Sequence, residues 1–420
     1  MVSATSTAAQ GRLARRLGVF DAVVIGLGSM IGAGIFAALA PAAAAAGPGL
    51  LPGMAVAAVV AYCNATSSAR LAARYPASGG TYVYGRERLG AFWGYLAGWG
   101  FVVGKTASCA AMALTVGTYA WPQQAHAVAV AAVVALTAVN YVGVQKSAWL
   151  TRAVVAVVLA ILAGVAVACL GAPSAGLGRL SAGGDVTVFG VLQAAGLLFF
   201  AFAGFARIAT LGEEVRDPAR TIPRAVPLAL GITLVVYTIV AVAVLAVLGD
   251  RLASSAAPLA DAVRAAGRPE LVPVVRVGAA VAVLGSLLAL ILGVSRTALA
   301  MARDRHLPHA LAAVHPRFQV PHRAELAVGA VVATVAATAD VRTAIGFSSF
   351  AVLVYYAIAN ASAWTLSATE GRPPRVVPVV GLAGCLALAF ALPPHSVLAG
   401  AAVLAVGATA YGIRHRLTRR

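Results

Sequence analysis

Lys105, Arg207 and Arg296 are basic residues set inside long apolar stretches. If those stretches cross a bilayer, each charge costs at least about 2.5–3.5 kcal/mol, and residues kept at that cost usually have a task. Lys105 reads as a group that can take up and release a proton. Deprotonated, it is neutral; protonated, it fills the space of a coupling cation. A plainer role stays open: a lysine that snorkels, or pairs with carbonyls, holds its own helix in place. Arg207 precedes Glu213 and Glu214, which suits an ion-paired gate on the inner side. Together with Lys105 it would also attract an acidic substrate. Glu213 and Glu214 read as anchors of their loop to nearby arginines. Arg296 reads as a snorkelling side chain near a helix end.

The second chemical feature is backbone. Between Phe20 and Phe36 stand Gly26, Gly28, Gly32 and Gly34. Glycine weakens a helix and lets backbone approach a ligand. A break here frees N–H groups at the start of the following half-helix, and these suit a carboxylate. The preceding half ends in free carbonyls, which suit an ammonium or a cation. Ser29 adds a hydroxyl. Small residues four apart, such as Gly28 and Gly32, would also let two helices touch. The Gly26-x-Gly28 spacing is no dinucleotide site, because it lacks a strand–helix context.

Other chemistries find little support. His306, His309, His315 and His322 share one loop, with spacing unlike a metal site, and read as solvated. Cys63, Cys109, Cys169 and Cys385 are isolated in or beside apolar spans and read as packing residues. No enzyme activity, cofactor, metal or disulfide is predicted. The formal charge of +18 is spread over helix ends rather than gathered in one tract, which argues against a nucleic-acid partner.

The elements that must position these groups follow from composition. Of the 420 residues, 61% are hydrophobic and only 10% charged, against roughly 25% charged in a soluble domain. Apolar blocks of about 20 residues, the span of a bilayer-crossing helix, recur along the chain. The fold class expected is all-α integral membrane, with twelve transmembrane helices. The ninth (324–339) is short. Arg12, Arg15 and Arg16 before an apolar stretch imitate a secretory signal, but the stretch from Val19 is too long for one and reads as a retained first span. Most of the 31 lysines and arginines fall on the side of the tails. That places both termini in the cytoplasm of a cell inner (plasma) membrane.

The sixth span carries a central Gly204 among Phe199, Phe200, Phe202 and Phe205. Spans one and six lie five apart, and a unit of five spans re-enters the membrane from the opposite side when repeated. Interrupted helices at matching positions of two inverted halves point to a transporter substrate site between them. This favours the broken-helix reading of Gly28–Gly34.

Several stretches carry a family resemblance. Gly26 to Phe36, Ala72 to Tyr84, Phe199 to Arg224, and Ala300 to Asp304 with Leu307-Pro308 resemble the amino acid–polyamine–organocation (APC) transporters, in order, over about 18–415. The resemblance implies a leucine-transporter-like core at 19–367, made of two inverted repeats at 19–171 and 187–367. Two peripheral helices (376–413) and tails at 1–18 and 414–420 complete the chain. It implies an amino acid or related amine as substrate. The substrate carboxylate would meet the amides around Ile31, Gly32, Ala33 and Gly34, with Ser29 close by. The ammonium would meet carbonyls near Ile25, Phe202, Ala203 and Phe205. Phe202 or Phe205 would act as an aromatic gate, or simply pack.

The chain also departs from that family. Arg70 stands where many relatives have Glu, Ala206 where many have Glu or Asp, and Val158 where lysine-coupled relatives have Lys. Lys105 is therefore assigned the coupling task, by proton symport or exchange. Sodium is disfavoured, because Ser286 has no adjacent hydroxyl on the eighth span and Ser295 and Thr297 lie deeper toward the cytoplasm. Uncoupled amino acid/polyamine exchange is the alternative. A channel or a non-transporting sensor fits less well, since neither a filter ring nor a soluble domain is visible.

Overall fold

Lipid offers no partner to a bare peptide group, so a chain that crosses it must satisfy its backbone internally. The computed structural model describes residues 17–32, 34–75, 79–143, 148–180, 186–209 and 215–417, and most of these are helical. In chain order the helices are α1 (Val19–Ile31), α2 (Gly34–Ala37), α3 (Leu39–Ala46), α4 (Leu50–Arg74), α5 (Thr81–Leu89) and α6 (Ala91–Ala120). Then come α7 (Ala125–Tyr141), α8 (Ala148–Leu170), α9 (Val188–Phe202), α10 (Ala206–Ala209), α11 (Pro218–Leu248) and α12 (Pro258–Ala265). The last five are α13 (Val272–Arg303), α14 (His322–Thr338), α15 (Val341–Trp364), α16 (Val376–Ala391) and α17 (Pro394–Leu417).

Ten helical stretches among the described residues are long and apolar enough to cross a bilayer. Helices stand at all twelve expected positions, but α14 has 17 residues and α16 has 16. Both are shorter than the ~20 residues that cross a hydrocarbon core upright. Large apolar side chains point outward from several helices: Val167 is 75% exposed and Leu398 is 71% exposed. Such a surface is stable against lipid tails, and this is a multi-pass membrane protein.

Local chemistry sets several ends. Thr187 caps α9 by accepting the Gly190 N–H at 3.0 Å, and Asp340 caps α15 by accepting the Thr343 N–H at 3.0 Å. These side chains satisfy amides that have no partner within the helix.

The packing has an exchange pattern. α1 packs on α11 as α9 packs on α4, and α1 on α8 as α9 on α15. Likewise α8 meets α11 as α15 meets α4, and α7 meets α13 as α14 meets α6. Inside this frame a hydrogen-bonded cluster joins α4 to α15: Ser67 donates to Asn360 at 2.7 Å, and Asn360 donates to Asn64 at 2.6 Å. Buried amides of this kind need such partners.

Candidate functional site

α1 stops where the Gly32 N–H donates to Gly28 O at 3.2 Å. The four-residue α2 and then α3 follow. A helix end leaves carbonyls short of partners, and inside a membrane protein side chains can supply them. Two hydroxyls bond carbonyls at this break, and for Gly28 O the bond adds to the one from the Gly32 N–H. Ser286 of α13 donates to Gly28 O at 2.8 Å, and Tyr237 of α11 donates to Met30 O at 2.6 Å. The Tyr237 hydroxyl also lies 3.2 Å from Ala201 O on α9. One phenol therefore bridges the carbonyls of both interrupted helices. The second interruption is a single 3-10 turn, Ala203–Phe205, between α9 and α10.

The two interruptions interlock. A Cβ on Gly204 would lie 2.5 Å from Ser29 O and 2.7 Å from Met30 N. A Cβ on Gly34 would lie 2.5 Å from the Ala201 Cα and 2.6 Å from the Tyr237 hydroxyl. Each break thus carries a glycine where the other break's backbone presses closest. No larger residue fits either position without moving main chain.

Beside this contact lies a cavity of about 160 Å³. It is smaller than the ~300–1,000 Å³ of sites for drug-sized ligands, as suits a small metabolite. Ser29, Gly34, Ala203, Gly204, Ala206 and Ser286 line it from the breaks and α13. Lys105 and Arg207 line it, as does the exposed Arg296. Among the described residues no Asp or Glu lines it. The cavity runs toward Gly79 and Ala300, near the ends of α4 and α13. Lys105 is 6% exposed, and its ammonium lies 3.5 Å from Ala203 O.

The structure brings some of the expected site residues together and separates others. Ser29, Gly34, Ala203, Lys105 and Arg207 share the main cavity. Ile31 and Gly32 border a second, narrow cleft against Val154, Val155 and Val158 of α8. Ile25 is half-buried and faces neither space. Phe202 is buried against Tyr237, with ring centroids 5.4 Å apart, and Phe205 against Tyr356 at 5.1 Å. The aromatic rings on the cavity are instead Phe101 and Phe200. Ala33, Glu213 and Glu214 lie outside the described residues.

Phe101, Ser108, Tyr237 and Glu325 carry no role in the sequence pattern, and Phe200 figures there only as a neighbour of Gly204. Ser108 lines the cavity and is hydrogen-bonded to Ser348 of α15 at 2.5 Å. Tyr237 offered no signal, because a tyrosine in an apolar span is unremarked until its partner is known. Glu325 did offer one, a carboxylate inside an expected span. It is fully buried, and neither carboxylate oxygen has a hydrogen-bond partner among the described residues.

A polar network lies at the end of the bundle toward which the cavity runs. The Tyr82 hydroxyl donates to Asp304 and lies 2.8 Å from His306 Nδ1, while Arg86 donates to Asp304 at 3.0 Å. Burial, followed by the nearby Arg414 and Arg86 charges, holds the His306 pKa below its usual 6.5 against the opposing pull of Asp304. Arg88 makes hydrogen bonds to Glu370 at 2.9 and 3.0 Å. Those bonds, with the Ser367 N–H, bring the Glu370 carboxyl down to about 2.

Known proteins resemble this chain over most of its length. The family model described as "Amino acid permease" matches residues 21–375. An uncharacterized transporter of Mycobacterium tuberculosis is 78% identical over 409 residues, covering 97% of this chain and 93% of that protein. The methylthioribose transporter of Bacillus subtilis is 26% identical, covering 96% of this chain and 94% of that protein. The human cationic amino acid transporter 4 is 28% identical, covering 86% of this chain and 61% of that protein.

Proposed function

The chain belongs to the amino acid permease family, and from that premise we propose that it is a secondary transporter of amino acids or related amines, working by alternating access with proton coupling. Family and relatives are transporters rather than enzymes. The observation that carries the reading is the pair of interlocked breaks beside a small, mainly apolar cavity that holds a few polar and basic side chains. Backbone free of helical bonding is tolerated at membrane depth where it lines a cavity. The substrate carboxylate sits at the Gly34 end of the Ile31–Gly34 stretch, near Ser29, and the ammonium at the carbonyls around Ala203, while Ile31 and Gly32 border the second cleft.

Lys105 is the coupling group of this reading. Its ammonium stands at Ala203 O, the carbonyl assigned to the substrate amine. A protonated Lys105 and a substrate ammonium therefore compete for one acceptor, and proton occupancy is tied to substrate occupancy. The exchange of packing partners between α1–α8 and α9–α15 supports two inverted five-helix repeats. With α16 and α17 they make twelve crossings, and the distribution of basic residues supports cytoplasmic tails in the cell membrane.

The test is purified protein in liposomes, a panel of labelled amino acids, and an imposed proton gradient. The reading expects saturable uptake of at least one amino acid, driven by the gradient in the wild type and not in Lys105→Ala. Full gradient-driven uptake in that variant removes Lys105 from the role. A second reading rests on the cavity's charge. Lys105, Arg207 and Arg296 line it, with no carboxylate among the described residues. This favours an acidic amino acid over a cationic one. Glutamate and aspartate then compete for uptake better than lysine and arginine do, and the reverse order overturns this second reading.

A further inference from the structure

Glu325 is the buried charge that the cavity chemistry leaves unused. It sits in the first turn of α14, fully buried, and both of its oxygens lack hydrogen-bond partners among the described residues. The polar groups that face it come from α13: the Arg296 guanidinium and the Ser295 hydroxyl. Ser295 donates to Leu292 O at 3.0 Å, and among the described residues Arg296 is the charge whose field reaches the carboxylate. On its own helix, His322 lies one turn earlier, packed against Tyr141 of α7 and His315. Arg323 lies two residues before it in sequence.

A carboxyl group without donors in a dry site is tolerable only when a proton or a cation compensates it. Here both are at hand. Arg296 lines the substrate cavity and is exposed there, while Glu325 lies behind it, away from that space. Two arrangements of the pair follow. With Glu325 ionised, Arg296 is held toward α14. With Glu325 protonated, Arg296 is released toward the cavity. The proton and the substrate would then be linked through one guanidinium.

We propose that Glu325 is a proton-binding site of the transport cycle, coupled to the substrate cavity through Arg296. This rests on the proton-coupled reading above, but not on Lys105, which lies on α6. Proton binding puts one H⁺ on a carboxylate oxygen and removes one negative charge; no other bond changes.

Two measurements test it. The first needs no substrate: infrared spectra of the purified protein across a pH titration. A protonated-carboxyl C=O band should appear as pH falls, be absent in Glu325→Gln, and shift its midpoint in Arg296→Gln. If the wild type shows no titrating carboxyl band that these variants remove or move, the proposal is overturned. The second uses liposomes and an accepted substrate. A one-unit pH gradient supports at most about a tenfold substrate gradient for one proton per substrate. Glu325→Gln should reduce that ratio to about one, while counterflow, which needs no net proton movement, continues. Wild-type accumulation in this variant overturns the proposal. If the wild type moves no amino acid at all, the transport reading fails, and the infrared result still decides whether Glu325 takes up a proton. Should Glu325→Gln fail to fold, Arg296→Gln carries the infrared arm.

Discussion

Replacing Gly204 by alanine probes the contact on which the proposed substrate site depends. The added Cβ would stand 2.5 Å from Ser29 O, 2.6 Å from the Ser29 carbonyl carbon and 2.7 Å from Met30 N. All three are main-chain atoms, so no rotamer change relieves the overlap. Ordinary contact begins at 3.4 Å, so the two breaks must part by about 0.9 Å. Overpacking of this kind costs about 1–3 kcal/mol. If the strain falls on the bound state, affinity drops by about 5- to 150-fold. The assay is substrate affinity of purified Gly204→Ala, from transport KM and ligand-induced thermal stabilisation, beside its melting temperature without ligand. Gly231→Ala on α11 is the control, because a Cβ there meets nothing within 4 Å. It should leave affinity unchanged. A Gly204→Ala protein with wild-type affinity and melting temperature would refute the interlock as a determinant of the site.

Other perturbations address the supports of the breaks and the polar network at the bundle's end. Tyr237→Phe removes the hydroxyl 2.6 Å from Met30 O and 3.2 Å from Ala201 O. Leaving a buried acceptor unpaired costs about 1–3 kcal/mol, so thermal denaturation in detergent should show a lower melting temperature, with weakened substrate binding. His306 is held below 6.5 by burial, so its unfolded form takes up a proton first. The stability it contributes is complete above pH 6.5 and is lost as pH falls from there. His306→Gln should flatten that part of the melting-temperature profile. Glu370, brought down from 4.5 to about 2 chiefly by Arg88, adds stability that is complete above pH 4.5 and lost as pH falls toward about 2. Glu370→Gln should remove the dependence in that window, and an unchanged profile would count against the Arg88 contact.

What the chain reveals before folding is what depends on near neighbours. Bilayer-length apolar blocks, the glycines of Gly26–Gly34 and the interruption at Gly204 are local patterns, because hydropathy and helix stability act over a few turns. Each of the charges Lys105, Arg207 and Arg296 was legible for the same reason: an ionisable residue in an apolar run stands out alone. The roles of these groups were less legible. Arg296 reads as a snorkelling side chain in sequence, yet it lines the cavity with Glu325 behind it. Phe202 and Phe205 sit in the expected motif, yet their rings turn to Tyr237 and Tyr356, while Phe101 and Phe200 reach the cavity. A helix places its side chains around a full turn, and only packing decides which face meets a cavity. The sequence by itself determined that this chain is a membrane bundle with two broken helices. Tertiary structure alone decided that Gly204 meets Ser29, that Tyr237 bridges Met30 and Ala201, and that Glu325 is buried with neither oxygen hydrogen-bonded among the described residues. Those contacts join residues far apart in the chain, and no short-range pattern encodes them.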